Sequence, residues 1–138
     1  MKSIRLPARI ENLENFTTFL SDFLNARGFP RERVQEIELA AEEALVNIIR
    51  YAYPEKPGDL EIRCRAGEDG ALTMEFEDSG VDFDPTSLPD PDLTLSIAQR
   101  EIGGLGVYLI RKMVNEVRHR REGERNILTF VVREKRGG

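Results

Sequence analysis

The chain has 138 residues, with 20 Lys and Arg against 25 Asp and Glu, a net charge of −5, one cysteine and one histidine. That length suits one domain with a real core and is short for two, so one domain over residues 1–138 is expected. An acidic balance without a basic face argues against a nucleic-acid partner, because phosphate binding relies on clustered Lys and Arg. No apolar run approaches the roughly 18 residues of a membrane span, and Met1-Lys2-Ser3-Ile4-Arg5 has no apolar signal core. No membrane partner and a cytoplasmic location follow as expectations. Cys64 alone cannot build a disulfide framework and has the parity of a buried strand position, and the lone His119 excludes a His cluster for zinc or a Ser-His-Asp triad.

Short apolar alternation around Ile4 and Leu6 suggests an edge strand. Over residues 12–27, Leu13, Phe16, Leu20 and Leu24 recur at helical spacing until Gly28. Pro30 opens a longer amphipathic helix, whose apolar face is Val34, Ile37, Ala41, Ala44, Leu45, Ile48 and Ala52, and which stops by Pro54. Leu60, Ile62, Cys64 and Ala66 alternate with polar residues, as do Leu72, Met74 and Phe76 beyond the turn at Gly67-Glu68-Asp69-Gly70, which predicts a hairpin with one buried face. Residues 82–102, rich in proline and aspartate, form a long irregular connection and a candidate lid. A helix is expected over 106–115, then strands over 117–121 and 126–133. The order predicts an α/β (α+β) two-layer sandwich, with helices covering one face of a largely antiparallel sheet. Basic residues collect only over 118–125 and 133–136, read as solvated edges.

Three segments could carry chemistry. On the second helix, at about 100° per residue, Glu36, Glu43 and Asn47 share a side away from the centre of the apolar stripe, with the small Ala40 between them. A carboxylate and an amide oxygen at i and i+4 can face one hard cation such as magnesium, although such pairs are also common on solvated helix shoulders. Asp78 has the parity of the buried Leu72, Met74 and Phe76 and needs a donor; a ligand's amine, such as that of adenine, would serve, with Gly80 allowing close backbone approach to the ring. Asp-Ser-Gly is equally ordinary turn chemistry. Gly103-Gly104-Leu105-Gly106 falls where a helix begins and unpaired N–H groups converge, a potential anion site, without the Gly-Lys-Ser/Thr of a Walker loop.

Together these segments resemble the motif boxes of the Bergerat-type ATP-binding fold shared by gyrase, heat-shock chaperone ATPases, MutL-like proteins and histidine kinases. Within that group the chain is most similar to the anti-sigma-factor serine/threonine kinases. Glu42-Glu43-Ala44-Leu45-Val46-Asn47 with Ala52-Tyr53 looks like the N-box, and residues 103–110 with Val114-Asn115-Glu116-Val117 look like the last box, the likeness running over about residues 5–133. The resemblance implies Asn47 as the Mg²⁺ ligand, Glu43 as general base toward a protein serine, Asp78 as adenine reader, Gly80 as part of the adenine floor, and Gly103, Gly104, Leu105 and Gly106 as the phosphate cradle. Asp82 stands where the wider superfamily often has a second glycine. Ile102 stands where some members place an arginine for the γ-phosphate, leaving Arg100 as a shifted candidate.

The function so implied is an ATP- and Mg²⁺-dependent protein kinase that acts as an anti-sigma factor. It would bind a sigma factor, phosphorylate an anti-anti-sigma antagonist and form a homodimer. A second reading is a non-catalytic module whose ATP shapes a surface for a protein partner. A detached histidine-kinase domain is disfavoured because His119 falls in a predicted strand and no phosphoacceptor helix is present. A gyrase-like or chaperone ATPase is disfavoured by the short length.

Overall fold

The computed structural model describes residues 1–87 and 104–136, and for Gly104 and Leu105 the backbone alone. Chain order is β1 (Lys2–Pro7), a 3₁₀ turn (Ile10–Asn12), α1 (Leu13–Ala26), α2 (Arg31–Tyr51), β2 (Asp59–Ala66), β3 (Leu72–Asp78), α3 (Gly104–Met113), β4 (Glu116–Glu122) and β5 (Arg125–Val132). The five strands form one sheet in the order β1-β2-β3-β5-β4, every neighbouring pair antiparallel. This is an α+β two-layer sandwich, as the alternation and helical periodicity predict.

Register explains the two faces. Ile4, Ile62, Phe76 and Leu128 lie in one cross-strand row and Cys64, Met74 and Phe130 in the next, all against the helices. Phe16, Leu20 and Leu24 of α1 and Ile37, Ala41, Ala44, Leu45 and Ile48 of α2 fill the space above them. Cys64 is buried in this core, and burial pushes its thiol up to about 12. Phe76 and Phe130 meet edge to face at 5.0 Å between centroids. On the opposite face, which no described element covers, the polar parity of the strands becomes an ion-pair lattice. Arg63 reaches Glu61, Glu75 and Glu77, and Arg120 reaches Glu75 and Glu122.

Local chemistry sets the element ends. Gly28, at φ 79°, takes the left-handed turn that ends α1, and Pro30, with its fixed φ, leads into α2. In the β2–β3 hairpin Asp69 Oδ1 accepts from Ala71 N at 3.2 Å, an Asx turn beside Gly70 at φ 84°. The third helix starts at Gly104, two residues before the expected point.

A buried arginine joins the layers at the far end of α2. Arg33, 3% exposed, donates from Nε to Arg133 O at 2.7 Å, from Nη2 to Asn115 Oδ1 at 2.8 Å, and from Nη1 to Glu36 and to Met113 O. It thereby ties the start of α2 to the last carbonyls of α3 and the end of β5. Burial lowers its pKa, and the Glu36 carboxylate opposes that effect. Arg133 pairs with Asp69 and Arg136 with Glu36, so these basic residues after β5 are ion-paired at the surface as well as meeting solvent.

Candidate nucleotide-binding site

Glu43 and Asn47 follow one another by a turn along α2, but their environments differ from a solvated shoulder. Asn47 is 0% exposed, and neither its Oδ1 nor its Nδ2 finds a hydrogen-bond partner among the described residues. An unpartnered buried amide is costly, so the reading of Asn47 as merely off the apolar stripe is corrected. The residue is part of the interior because α3 packs on that side of α2. Ala40 is fully buried, and Glu36 is taken up by Arg33 and Arg136 at the other end of the helix, so it does not join Glu43 and Asn47.

Glu43 is half-buried. Desolvation first, and then the neighbouring Glu42 carboxylate, push its pKa up, while Arg50 pulls it down. Its side chain lies over the first turn of α3: a Cβ on Gly106 would sit 2.5 Å from Glu43 Oε2 and 3.1 Å from Glu43 Cβ. Gly106 is therefore glycine because the Glu43 carboxylate occupies the space that a side chain would take. The general-base candidate and the glycine-rich helix start, 63 positions apart in the sequence, meet in space.

Asp78 ends β3 pointing inward, 4% exposed, as its parity requires. Its Oδ1 accepts from Gly80 N at 2.9 Å and from Asn126 Nδ2 at 2.9 Å. Burial raises the carboxyl's pKa, opposed by those two donors and by the positive field of Arg121 and His119. Asn126, on β5 directly opposite Asp78, is 2% exposed and was not singled out from sequence. The available signal was its place at the start of β5, which pairs it with the end of β3 once the sheet order is known.

Gly80 serves a nearer neighbour than a ligand ring. A Cβ there would overlap the carbonyl of Ala52, to which Val81 N donates at 2.8 Å. Tyr53 completes the joint: its hydroxyl donates to Asp59 O at 2.6 Å and accepts from Ser79 N at 2.7 Å, and its ring fills the space a Cβ on Gly58 would need. Beside this joint a cleft of about 510 Å³ is lined by residues including Tyr53, Lys56, Gly80, Val81 and Arg121. Asp78 is not among the residues that line it. Past it, Asp84 Oδ1 accepts from Thr86 N and Thr86 Oγ1, which orders the start of the long connection. The remainder of the lid candidate, together with Arg100, Ile102 and Gly103, lies outside the described residues.

Among the described residues no three His, Cys, Asp or Glu side chains converge on a point that could hold a metal ion. The orphaned Asn47 amide oxygen nonetheless suits a cation that arrives already held by phosphates and water, which is how Mg²⁺ is commonly bound.

A two-layer sandwich with these features on its second helix, third strand and third helix defines an ATPase-type domain. The chain belongs to the histidine kinase-like ATPase domain family, whose model matches residues 6–132. It is similar to serine-protein kinase RsbW of Bacillus cereus strain G9842, 28% identical over 118 residues, covering 83% of this chain and 73% of that protein. Serine-protein kinase RsbW of Listeria monocytogenes is 27% identical over 139 residues, covering 96% of this chain and 88% of the relative. No helix among the described residues is long and apolar enough to cross a membrane.

Proposed function

We propose that this protein is an ATP- and Mg²⁺-dependent serine/threonine protein kinase acting as an anti-sigma factor. It would bind a sigma factor, as a homodimer, and phosphorylate an anti-anti-sigma antagonist. The observation that carries the reading is Asn47, a fully buried amide without a partner among the described residues, one turn after a carboxylate that rests on the first turn of α3. A protein does not keep such an amide for stability, and a phosphate-borne cation gives it a ligand. The relatives' name, serine-protein kinase, supports phosphotransfer to serine.

Within this reading Asp78, with Oδ1 filled by Gly80 and Asn126, offers its second oxygen to the adenine amine. N–H groups at the start of α3, with Gly103, Gly104, Leu105 and Gly106, receive the phosphates, aided by the helix dipole. Mg²⁺ when bound neutralises charge on the phosphates, with Asn47 as its protein ligand. Glu43, whose pKa burial raises, accepts or orients the proton of the serine hydroxyl. The phosphate added to the antagonist then changes its interface by like-charge repulsion or desolvation, which switches partners.

Calorimetric titration with Mg-ATP tests the pocket. Wild type binds, and Asp78→Asn, which presents an amide donor to the adenine amine, loses binding. Unchanged affinity in the variant removes Asp78 from the pocket. The alternative, a non-catalytic nucleotide-dependent module, predicts the same binding without phosphotransfer.

A further inference from the structure

Arg121, Asn126 and Asp78 stand in one cross-strand row, β4 to β5 to β3, on the helix-facing side of the sheet. Their hydrogen bonds run in one direction. Arg121 Nη1 donates to Asn126 Oδ1 at 3.1 Å and to Gly80 O at 2.8 Å. Asn126 Nδ2 donates to Asp78 Oδ1 at 2.9 Å and to Val81 O at 2.7 Å, and Phe83 N donates to Asn126 Oδ1 at 3.4 Å. Because guanidinium only donates and the Val81 carbonyl only accepts, the amide of Asn126 has one possible orientation, with its NH₂ toward Asp78. Both NH₂ protons are used, and the oxygen is held by donors. The consequence at Asp78 is that one oxygen is saturated and the carboxylate cannot turn.

We propose that Asn126, locked by Arg121, is a positioning residue that keeps Asp78 an acceptor-only reader of the nucleotide base and so sets the preference for adenine over guanine. The proposal rests on Asp78 facing the base. Adenine presents an amine to the free carboxylate oxygen, and guanine presents a carbonyl at the same ring position, acceptor against acceptor. A fixed, ionised carboxylate takes the first and refuses the second. If the donor from Asn126 were lost, Asp78 could rotate or take up a proton and donate, and the distinction would weaken. Arg121 adds a second hold, since the same guanidinium nitrogen bonds the Gly80 carbonyl and steadies the turn that follows Asp78.

The test is Asn126→Asp, nearly identical in shape, which replaces the donor with a second carboxyl against Asp78. Two carboxylates at that separation share a proton, so the pair's occupancy depends on pH. The other titratable or charged groups facing Asp78 are Arg121 and His119 from β4 and Tyr53 after α2, with Asp84 beside His119. His119 Nε2 also lies 3.4 Å from Asn126 Oδ1, so wild type and variant are also compared in a His119→Gln background, which puts a non-titrating amide there. Titration with ATP and GTP at pH 5.5 and 8 is the readout. At pH 8 the variant binds ATP about 10- to 100-fold more weakly than wild type. There the ATP-over-GTP preference also narrows about tenfold; at pH 5.5, with a proton on the pair that the new carboxyl donates to Asp78, both the ATP affinity and the preference return to within about threefold of wild type. A structural role alone would not give recovery with acid.

Should the variant unfold at pH 8, Arg121→Met on the edge strand decides. It leaves Asp78 and Asn126 in place, and ATP affinity falls about three- to tenfold at both pH values with unchanged circular dichroism. Equal affinities across wild type and variants at both pH values overturn the brace while leaving ATP binding intact. A wild type that binds no ATP removes both this inference and the function on which it rests.

Discussion

Replacing Asn47 with alanine separates stability from function. In the free protein the amide is fully buried with both polar atoms unpartnered among the described residues, a penalty of about 1–3 kcal/mol. Alanine removes that penalty and adds helix propensity of about 0.5 kcal/mol in the interior of α2. Against this stands the space the amide leaves, which costs about 1–2 kcal/mol if the helices do not close over it. The net lies between neutral and about 2 kcal/mol more stable, or an upward Tm shift of up to roughly 8 °C for a chain of this size. Ligand linkage should move the other way. At a concentration about 100 times Kd, Mg-ATP stabilises wild type by about 2.7 kcal/mol, and a variant bound about 100-fold more weakly gains only about 0.4 kcal/mol. Melting both proteins with and without Mg-ATP measures both effects. A variant that melts well below wild type while keeping the full ligand shift would refute the reasoning, because Asn47 would then be a satisfied structural residue.

Two glycine substitutions should part in the same way. Gly80→Ala drives a Cβ into the Ala52 carbonyl and should destabilise by about 2 kcal/mol or more, read as a lower denaturant midpoint. Gly106→Ala meets the end of the Glu43 side chain, so the melting temperature should hold while phosphotransfer falls with the displaced carboxylate. Arg33→Ala leaves the Met113 and Arg133 carbonyls without their buried donor and should cost about 2–4 kcal/mol in denaturant unfolding. The raised pKa of Asp78 means that the folded state binds its proton more tightly than the unfolded chain. Its contribution to stability is therefore present below the unfolded value of about 4 and is lost as pH rises through the higher folded value. Asp78→Asn should flatten that part of the stability-against-pH curve, and an unchanged curve would contradict the assignment.

Periodicity made most of this fold legible. The parity of Leu72, Met74, Phe76 and Asp78 placed the carboxylate inward, and the spacing of Phe16, Leu20 and Leu24 placed α1 on the core, because both follow from local geometry. What stayed hidden depends on register between distant strands. Asn126 faces Asp78 only because β5 inserts between β3 and β4, and no local signal in residues 125–132 tells of that insertion. Arg121 was read as a solvated edge residue, yet the strand pairing turns it toward the Gly80 carbonyl. The burial of Asn47 was missed for a similar reason. Helical angle alone put it beside the apolar stripe, whereas the packing of α3 against α2 extends the interior over that side. Gly80 was assigned to ligand approach, and its immediate constraint proved to be Ala52, one turn beyond the N-box asparagine.

Phosphotransfer tests the central claim most directly. Wild type and Glu43→Ala are incubated with Mg²⁺ and γ-labelled ATP together with an anti-anti-sigma protein, and label on the antagonist's serine is followed in a single turnover. The account predicts transfer by wild type and a loss of about 10²- to 10⁴-fold in Glu43→Ala, with ATP binding retained in both. Binding of ATP by wild type without any transfer to serine would contradict the kinase reading and leave the nucleotide-dependent binding module in its place.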